Sequence, residues 1–306
     1  MRLVFAGTPD AAIPSLRVLA ASGHEIAAVI TRTDAPVGRK RVLTPSPVAQ
    51  TAAGLGLPVL KTDRLDDDAA GRITALRPHL GVVVAYGALV REPLLSAPTH
   101  GWINLHFSLL PRWRGAAPVQ RALIAGETTT GASVFRLVPE LDAGDVLDEV
   151  PYEIPPHATA VDVLDALSRS GADLLARTVD AIAASTATAT PQRGTSTYAP
   201  KLTAEDGRID WAVPARAVLD RIRGTTPEPG AFTTIDGARV KVLEAHRADT
   251  PVALTVGHLR AEGRSVLVGT ATDPIALVRV QPAGKGPMDA ADWWRGVRSD
   301  DPRAGS

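Results

Sequence analysis

Residues 80–85 read Leu-Gly-Val-Val-Val-Ala, a run with no polar side chain on either face. It is too short to be a stable helix by itself, and strand side chains point alternately to opposite faces. Such a strand must be covered on both sides, as in a parallel sheet flanked by helices. Leu3–Ala6 and Glu25–Thr31 (EIAAVIT) read the same way, Pro58–Leu60 as a third strand and Ile103–His106 as another. Helical segments fall between them: one through Leu16, Val18 and Leu19 with Thr8 or Asp10 placed to cap it, then Thr51–Leu55 and Ala69–Leu76. This alternation predicts an α/β fold with a Rossmann-like, mostly parallel sheet. Thr130–Leu137 and Asp145–Ile154 read as a later pair of strands, and Val161–Ala184 as a long helix closing the unit.

The pattern then changes. Residues 183–197 are small, polar and turn-rich, which reads as a linker. After a helix over Val213–Arg223 come short segments separated by turn signals: Ala231–Ile235, Ala238–Ala245, Gly257–Ala261, Ser265–Thr270 and Ile275–Val280. That spacing predicts a small β-barrel. The expected division is residues 1–185, a linker over 186–203, and a second domain over 204–306.

Composition narrows the classes of function. With 45% hydrophobic and 22% charged residues the 306-residue chain reads as soluble and globular. No run approaches the roughly 18 apolar residues of a membrane helix, and Met1–Gly7 is no signal peptide, so a cytoplasmic protein is expected. There is no cysteine, hence no disulfide frame, thiolate metal site or Cys nucleophile. No H-E-x-x-H or C-x-x-C cluster is present, and no metal is expected. The net charge of +0 offers no bulk support for a nucleic-acid partner. Arg39, Lys40 and Arg41, three consecutive cations between Gly38 and Pro45, are a local exception. Gly7-Thr8-Pro9 lacks the spacing of a G-x-G-x-x-G dinucleotide site and reads as a tight strand–helix turn.

Asn104 and His106 are two apart at the end of an apolar strand, so both side chains share one face. Ligands of open α/β sheets sit at the carboxyl ends of strands. An Asn and a His there suit a carbonyl-handling site, one donating to a developing oxyanion, the other donating or moving a proton. Asp142, in the turn Leu141-Asp-Ala-Gly-Asp145, can supply an acid to hold the histidine. On these residues alone, a structural histidine and a turn aspartate remain the commoner readings.

The longer run N-x-H-x-S-L-L-P-x-x-R-G over 104–115, followed by L-D-x-G-D over 141–145, resembles the signature of 10-formyltetrahydrofolate-dependent formyltransferases. The resemblance implies that Asn104, His106 and Asp142 are the catalytic trio. It implies a folate site lined by Ser108, Leu109, Leu110 and Pro111, with Tyr86, Gly87 and Val90 reading the pterin edge. Position 107, Phe where the family often has Gly, should point away from the trio. That family divides by acceptor. Phe5–Asp10, Pro36–Pro47, Pro111–Gln120, Arg208–Trp211, Pro227–Ala231, Val240–Val242 and Gln281–Lys285 resemble the branch whose acceptor is initiator methionyl-tRNA. The branch implies tRNA contacts at Arg39, Lys40 and Arg41, an OB-like C-terminal tRNA-binding domain and a monomer. An amino-sugar nucleotide or water as acceptor needs the same trio but not the three cations. A folate- or RNA-binding protein without catalysis has no evident use for all three trio residues.

Overall fold

The structure, a computed structural model, describes every residue except Arg39, 249–252, Asp300 and Ser306. The chain divides into two compact units, the first comprising Met1–Pro118, Thr129–Glu153 and Leu164–Ala199. Its strands are β1 (Arg2–Gly7), β2 (Glu25–Thr31), β3 (Ala35–Val37), β4 (Val42–Thr44), β5 (Val59–Lys61), β6 (Leu80–Val84), β7 (Trp102–His106), β8 (Thr129–Arg136) and β9 (Val146–Glu153). The helices are α1 (Ile13–Ala20), α2 (Pro47–Gly54), α3 (Asp67–Ala75), α4 (Pro118–Ile124) and α5 (Ala160–Ala183). Residues of α4 and the first turn of α5 belong to the second unit.

Seven strands form one sheet in the order β5-β2-β1-β6-β7-β8-β9. The first five are parallel, and β8 and β9 run antiparallel to their neighbours. All five residues of β6 are buried, as the apolar run at 80–84 requires. The chain steps outward from β1 through β2 to β5, then returns to place β6 on the other side of β1. That reversal opens a crevice at the carboxyl ends of β1 and β6. Gly7 pairs with Val84 across it, and Val83 pairs with Asn104 one strand further on. The hydroxyl of Thr8 donates to the carbonyl of Tyr86 at 3.4 Å, joining the two strand ends.

Two local expectations change. Neither Thr8 nor Asp10 caps the first helix: a 3-10 turn over Asp10–Ala12 precedes α1, whose N-cap is Ala12 with no side-chain bond. Thr8 is occupied by Tyr86, and Asp10 lies within that turn. The helix read at 51–55 begins earlier, at Pro47, because Ser46 caps it. The Ser46 hydroxyl accepts from Ala49 N–H at 3.0 Å and shares a buried 2.6 Å hydrogen bond with Thr31 at the end of β2. Proline at the first helical position suits such a start.

The second unit holds Val119–Thr128, Ile154–Val163 and the chain from Pro200. It contains α6 (Ala215–Thr225), β10 (Phe232–Ile235), β11 (Ala238–Arg247), β12 (Leu259–Glu262), β13 (Ser265–Val268), β14 (Ile275–Pro282), β15 (Met288–Asp289) and α7 (Ala290–Trp294). Its antiparallel sheet runs β10-β11-β14-β13-β12, with β15 beside β14. Trp211, Val218, Ile222, Val240, Val242, Val266, Ile275 and Leu277 are among its core residues. The edges of this sheet are joined by the end of the chain: Ile235 bridges Ala304, and His258, just before β12, bridges Arg303. Ala304 N–H donates to Gly257 O at 2.7 Å, and Gly305 N–H to Thr234 O at 2.8 Å. An unpaired strand edge is a liability, and residues 302–305 cover two of them, giving the sheet a barrel-like closure.

Candidate active site

Strand β7 delivers Asn104 and His106 to the carboxyl edge of the first sheet. Trp102 anchors the start of that strand: its ring is fully buried and its indole N–H donates to Leu94 O at 2.9 Å. A buried indole N–H needs such a partner. His106 is buried, with its ring edge-on to Phe135 at 6.3 Å between centroids. Asn104 is half-buried, and its Oδ1 is buried with no hydrogen-bond partner among the described residues. A buried carbonyl oxygen without a donor is costly, and it marks a place where a ligand N–H would be bound. Phe107 is buried in the core.

His106 lies between two loops. Its Nε2 is 2.8 Å from the carbonyl oxygen of Trp113. A carbonyl only accepts, so Nε2 carries the hydrogen, and in the neutral ring Nδ1 holds the lone pair. Nδ1 is 3.8 Å from Oδ2 of Asp142, an ion-pair distance when the ring is charged but too long for a hydrogen bond. Asp142 Oδ2 accepts instead from the backbone N–H of Gly115 at 2.7 Å. Burial pushes the His106 pKa below its ordinary value, against the Asp142 charge and the Trp113 carbonyl, which favour the charged ring. The resting imidazole is therefore neutral near pH 7 and has a carboxylate beside it to receive a proton's charge.

The loops that create this arrangement have left-handed backbone at Trp113 (φ +60°), Gly115 (φ +119°) and Asp142 (φ +47°). Glycine is needed at 115: besides its φ, a Cβ would lie 2.8 Å from Ala199 O. Non-glycine residues in this region cost about 1–3 kcal/mol each and cluster at functional sites.

The remaining expected residues divide into two groups. Ser108, Leu110 and Pro111 are buried, and Leu109 is half-buried. The Ser108 hydroxyl donates to Arg112 O at 2.6 Å, and Ser133 of β8 brackets the turn, donating to Ser108 O at 2.8 Å and accepting from Leu110 N–H at 3.3 Å. Tyr86, Gly87 and Val90 follow β6, with Gly87 exposed at φ +92°. The Tyr86 hydroxyl donates to Thr62 O at 3.0 Å, and its pKa is pushed up to about 12 by burial and by the nearby Asp63 charge. The phenol therefore braces the strand end while the backbone beyond it stays accessible. Lys40 and Arg41 are exposed in the turn of the β3–β4 hairpin, flanked by exposed Val37, Val42 and Leu43; Arg39 lies outside the described residues. Among the described residues no group of three or more acidic, His or Cys side chains could hold a metal ion, and no helix is long and apolar enough to cross a membrane.

Sequence reasoning did not find Ser133, the Trp113 carbonyl, the Gly115 N–H or Gln192. Of these Trp113 and Gly115 stand in a legible pattern, the Pro111–Gln120 run, though nothing in it shows which backbone groups turn to His106 and Asp142.

An α/β unit with a polar trio at its strand ends and a small β-sheet unit are the two parts of a recognised architecture. The family described as "Formyl transferase" matches residues 1–179, and "Formyl transferase, C-terminal domain" matches 201–298. The chain belongs to the formyl transferase family. It is 62% identical over 301 residues to the methionyl-tRNA formyltransferase of Clavibacter michiganensis subsp. michiganensis, covering 98% of this chain and 99% of that one. The methionyl-tRNA formyltransferase of Leifsonia xyli subsp. xyli is 60% identical over 297 residues, covering 97% and 98%. Among solved structures, the N-formyltransferase from Helicobacter canadensis, in complex with folinic acid and dTDP-3-aminofucose, shares the fold with a TM-score of 0.69. It has 16% identity and covers 92% of this chain and 98% of that one.

Proposed function

We propose that this chain transfers the formyl group of 10-formyltetrahydrofolate to the α-amine of methionine on initiator tRNA. The reading rests on the 62% identity, along nearly the whole chain, to a methionyl-tRNA formyltransferase.

The chemistry of the trio fits. The amine nitrogen bonds to the formyl carbon, the bond from that carbon to N10 of the folate breaks, and one amine proton ends on N10. Asn104 meets the developing oxyanion with its amide N–H, and its partnerless Oδ1 accepts from the attacking amine. Neutral His106 takes the amine proton on Nδ1, since Nε2 is committed to Trp113. Asp142, 3.8 Å away, stabilises the resulting imidazolium, whose Nδ1–H then supports the oxyanion and returns the proton to the leaving nitrogen. No metal enters this scheme.

The folate occupies the crevice between the 86–90 segment and the 108–111 turn, where Tyr86, Gly87 and Val90 offer backbone groups and Ser108, Leu109, Leu110 and Pro111 form the wall. Arg39, Lys40 and Arg41 meet tRNA phosphates, Lys40 and Arg41 from the turn of the β3–β4 hairpin, and the C-terminal unit adds further tRNA contacts. The protein acts in the cytoplasm as a monomer.

A formylation assay tests the proposal. Purified protein and 10-formyltetrahydrofolate are given charged initiator tRNA, charged elongator methionine tRNA or free methionine in parallel. Transfer to the initiator alone is expected. Donor turnover with no formylated tRNA would discard the acceptor while leaving the trio in place.

A further inference from the structure

We infer that Gln192 is a positioning residue for the formyl-transfer site, holding in register the two loops that set the protonation and surroundings of His106. The inference rests on the function proposed above and adds a residue to its machinery.

Gln192 lies in the polar stretch after α5 and is half-buried. Its Oε1 accepts from Arg114 twice, from Nε at 3.2 Å and Nη2 at 2.6 Å. Its Nε2 donates to the carbonyls of Asp142 and Gly144, both at 2.8 Å. A primary amide has two N–H donors and a carbonyl with two lone pairs, so this side chain is fully used. It adds to the direct link between the loops described above, the Gly115 N–H to Asp142 Oδ2 bond.

Each end of that brace holds a segment that faces His106. On one side is the 113–115 segment, which supplies the Trp113 carbonyl to His106 and the Gly115 N–H to Asp142. On the other is the 142–144 turn, in which Asp142 sits in a left-handed conformation and faces His106 with its carboxylate at 3.8 Å. The position of Nδ1 relative to Oδ2 thus depends on two loops far apart in sequence, and Gln192 ties them together. The brace is itself anchored. Thr190 and Val146 exchange both backbone hydrogen bonds, at 2.8 and 2.9 Å. Thr197 accepts from Trp113 N–H through its hydroxyl and from Arg114 N–H through its carbonyl, each at 2.8 Å.

The amide is required chemically. Asp142 O and Gly144 O need a donor, and the Arg114 guanidinium needs an acceptor. Glutamate would keep the second bond, strengthened by charge, and turn two attractions to carbonyls into repulsions. Asparagine has the same groups on a shorter stem.

The test measures kcat and KM for the donor and for charged initiator tRNA, with thermal midpoints, in Gln192→Ala, Gln192→Glu, Asp142→Asn and the double variant Gln192→Ala/Asp142→Asn. Misplacing a catalytic group by about 1 Å costs on the order of ten- to a hundredfold. Gln192→Ala is therefore expected to lose that much in kcat with both KM values nearly unchanged. Gln192→Glu, whose Arg114 brace survives, is expected to lose as much, so the result does not depend on the alanine variant folding. Because one end of the brace places the Asp142 carboxylate, removing Gln192 in the Asp142→Asn background should cost clearly less than in the wild type, a departure from additivity. Equal losses in both backgrounds, a change confined to KM, or an unchanged kcat in both Gln192 variants would overturn the inference. A wild-type chain that transfers no formyl group to any acceptor would instead sink the underlying function and this role with it.

Discussion

His106 donates from Nε2 to the Trp113 carbonyl at 2.8 Å, and this single bond decides which ring nitrogen faces the chemistry. With Nε2–H committed, an uncharged ring can only accept at Nδ1, and it becomes a donor there only after taking a proton. In the proposed mechanism Asn104 and His106 are therefore not two equivalent oxyanion donors from the start: Asn104 would donate at rest, and His106 would join it once it has taken the amine proton.

The depressed pKa of His106 makes a prediction about stability. The ordinary histidine pKa is about 6.5, and burial lowers it in the fold. The unfolded chain then binds more protons than the folded one between the two values. This contribution to stability is fully present above pH ~6.5 and is lost as pH falls through the lowered value. Thermal midpoints measured from pH 8 down to 5 should fall more steeply for the wild type than for His106→Gln, whose amide can still donate to Trp113. Parallel curves would contradict a buried neutral imidazole.

Asp142→Asn separates charge from geometry. Asparagine tolerates the left-handed backbone found at 142, and its Oδ1 can still accept from Gly115 N–H. The fold and the turn should survive, with a thermal midpoint near that of the wild type. Without the carboxylate the imidazolium forms at greater cost, and kcat should fall by about a hundredfold or more, in the range seen for loss of a key electrostatic group. Near-normal turnover would remove Asp142 from the proton path.

The elements, and the placing of Asn104 and His106 on one strand face, were legible because each leaves a local mark. Buried parallel strands such as 80–84 show as apolar runs, and N-x-H places two polar side chains on one strand face. The β3–β4 hairpin left little mark, since three-residue strands containing Pro36 have no readable period. Ser46 was missed as a cap because the helix it starts opens with Pro47 and small residues rather than with an apolar stripe. Closure of the second sheet by residues 302–305 depends on pairing across more than forty positions of chain, which no window detects. Gln192 was the least visible. It sits in a polar, turn-rich stretch that reads as a linker, and its meaning lies in where Arg114 and Asp142 happen to converge.

Gly81 supports the strand that carries the site. A Cβ there would lie 2.1 Å from the Trp102 ring, so the indole packs directly over the glycine backbone of the neighbouring strand. Gly81→Ala must displace a fully buried Trp or part β6 from β7. Overpacking of this kind costs about 1–3 kcal/mol, occasionally more. Chemical denaturation should show that loss, and because Asn104 follows Trp102 by two residues, kcat should fall with it. An unchanged midpoint would mean that the two strands separate without cost.

The hairpin tip predicts a salt-dependent effect confined to the tRNA. Lys40 and Arg41 are exposed, on a turn closed by the Arg41 N–H to Gly38 O bond at 3.0 Å. Each phosphate neutralised by a cation adds roughly one to the slope of log affinity against log salt. Lys40→Ala combined with Arg41→Asn, asparagine being chosen because position 41 has φ +49°, should reduce that slope by about two. The KM for charged tRNA should rise most clearly at low salt, where phosphate contacts are strongest, while the KM for the folate donor and the thermal midpoint stay the same. A slope identical to that of the wild type would show that these cations do not meet phosphate. A fall in kcat at saturating tRNA, with the slope unchanged, would assign them instead to placing the acceptor end against Asn104 and His106.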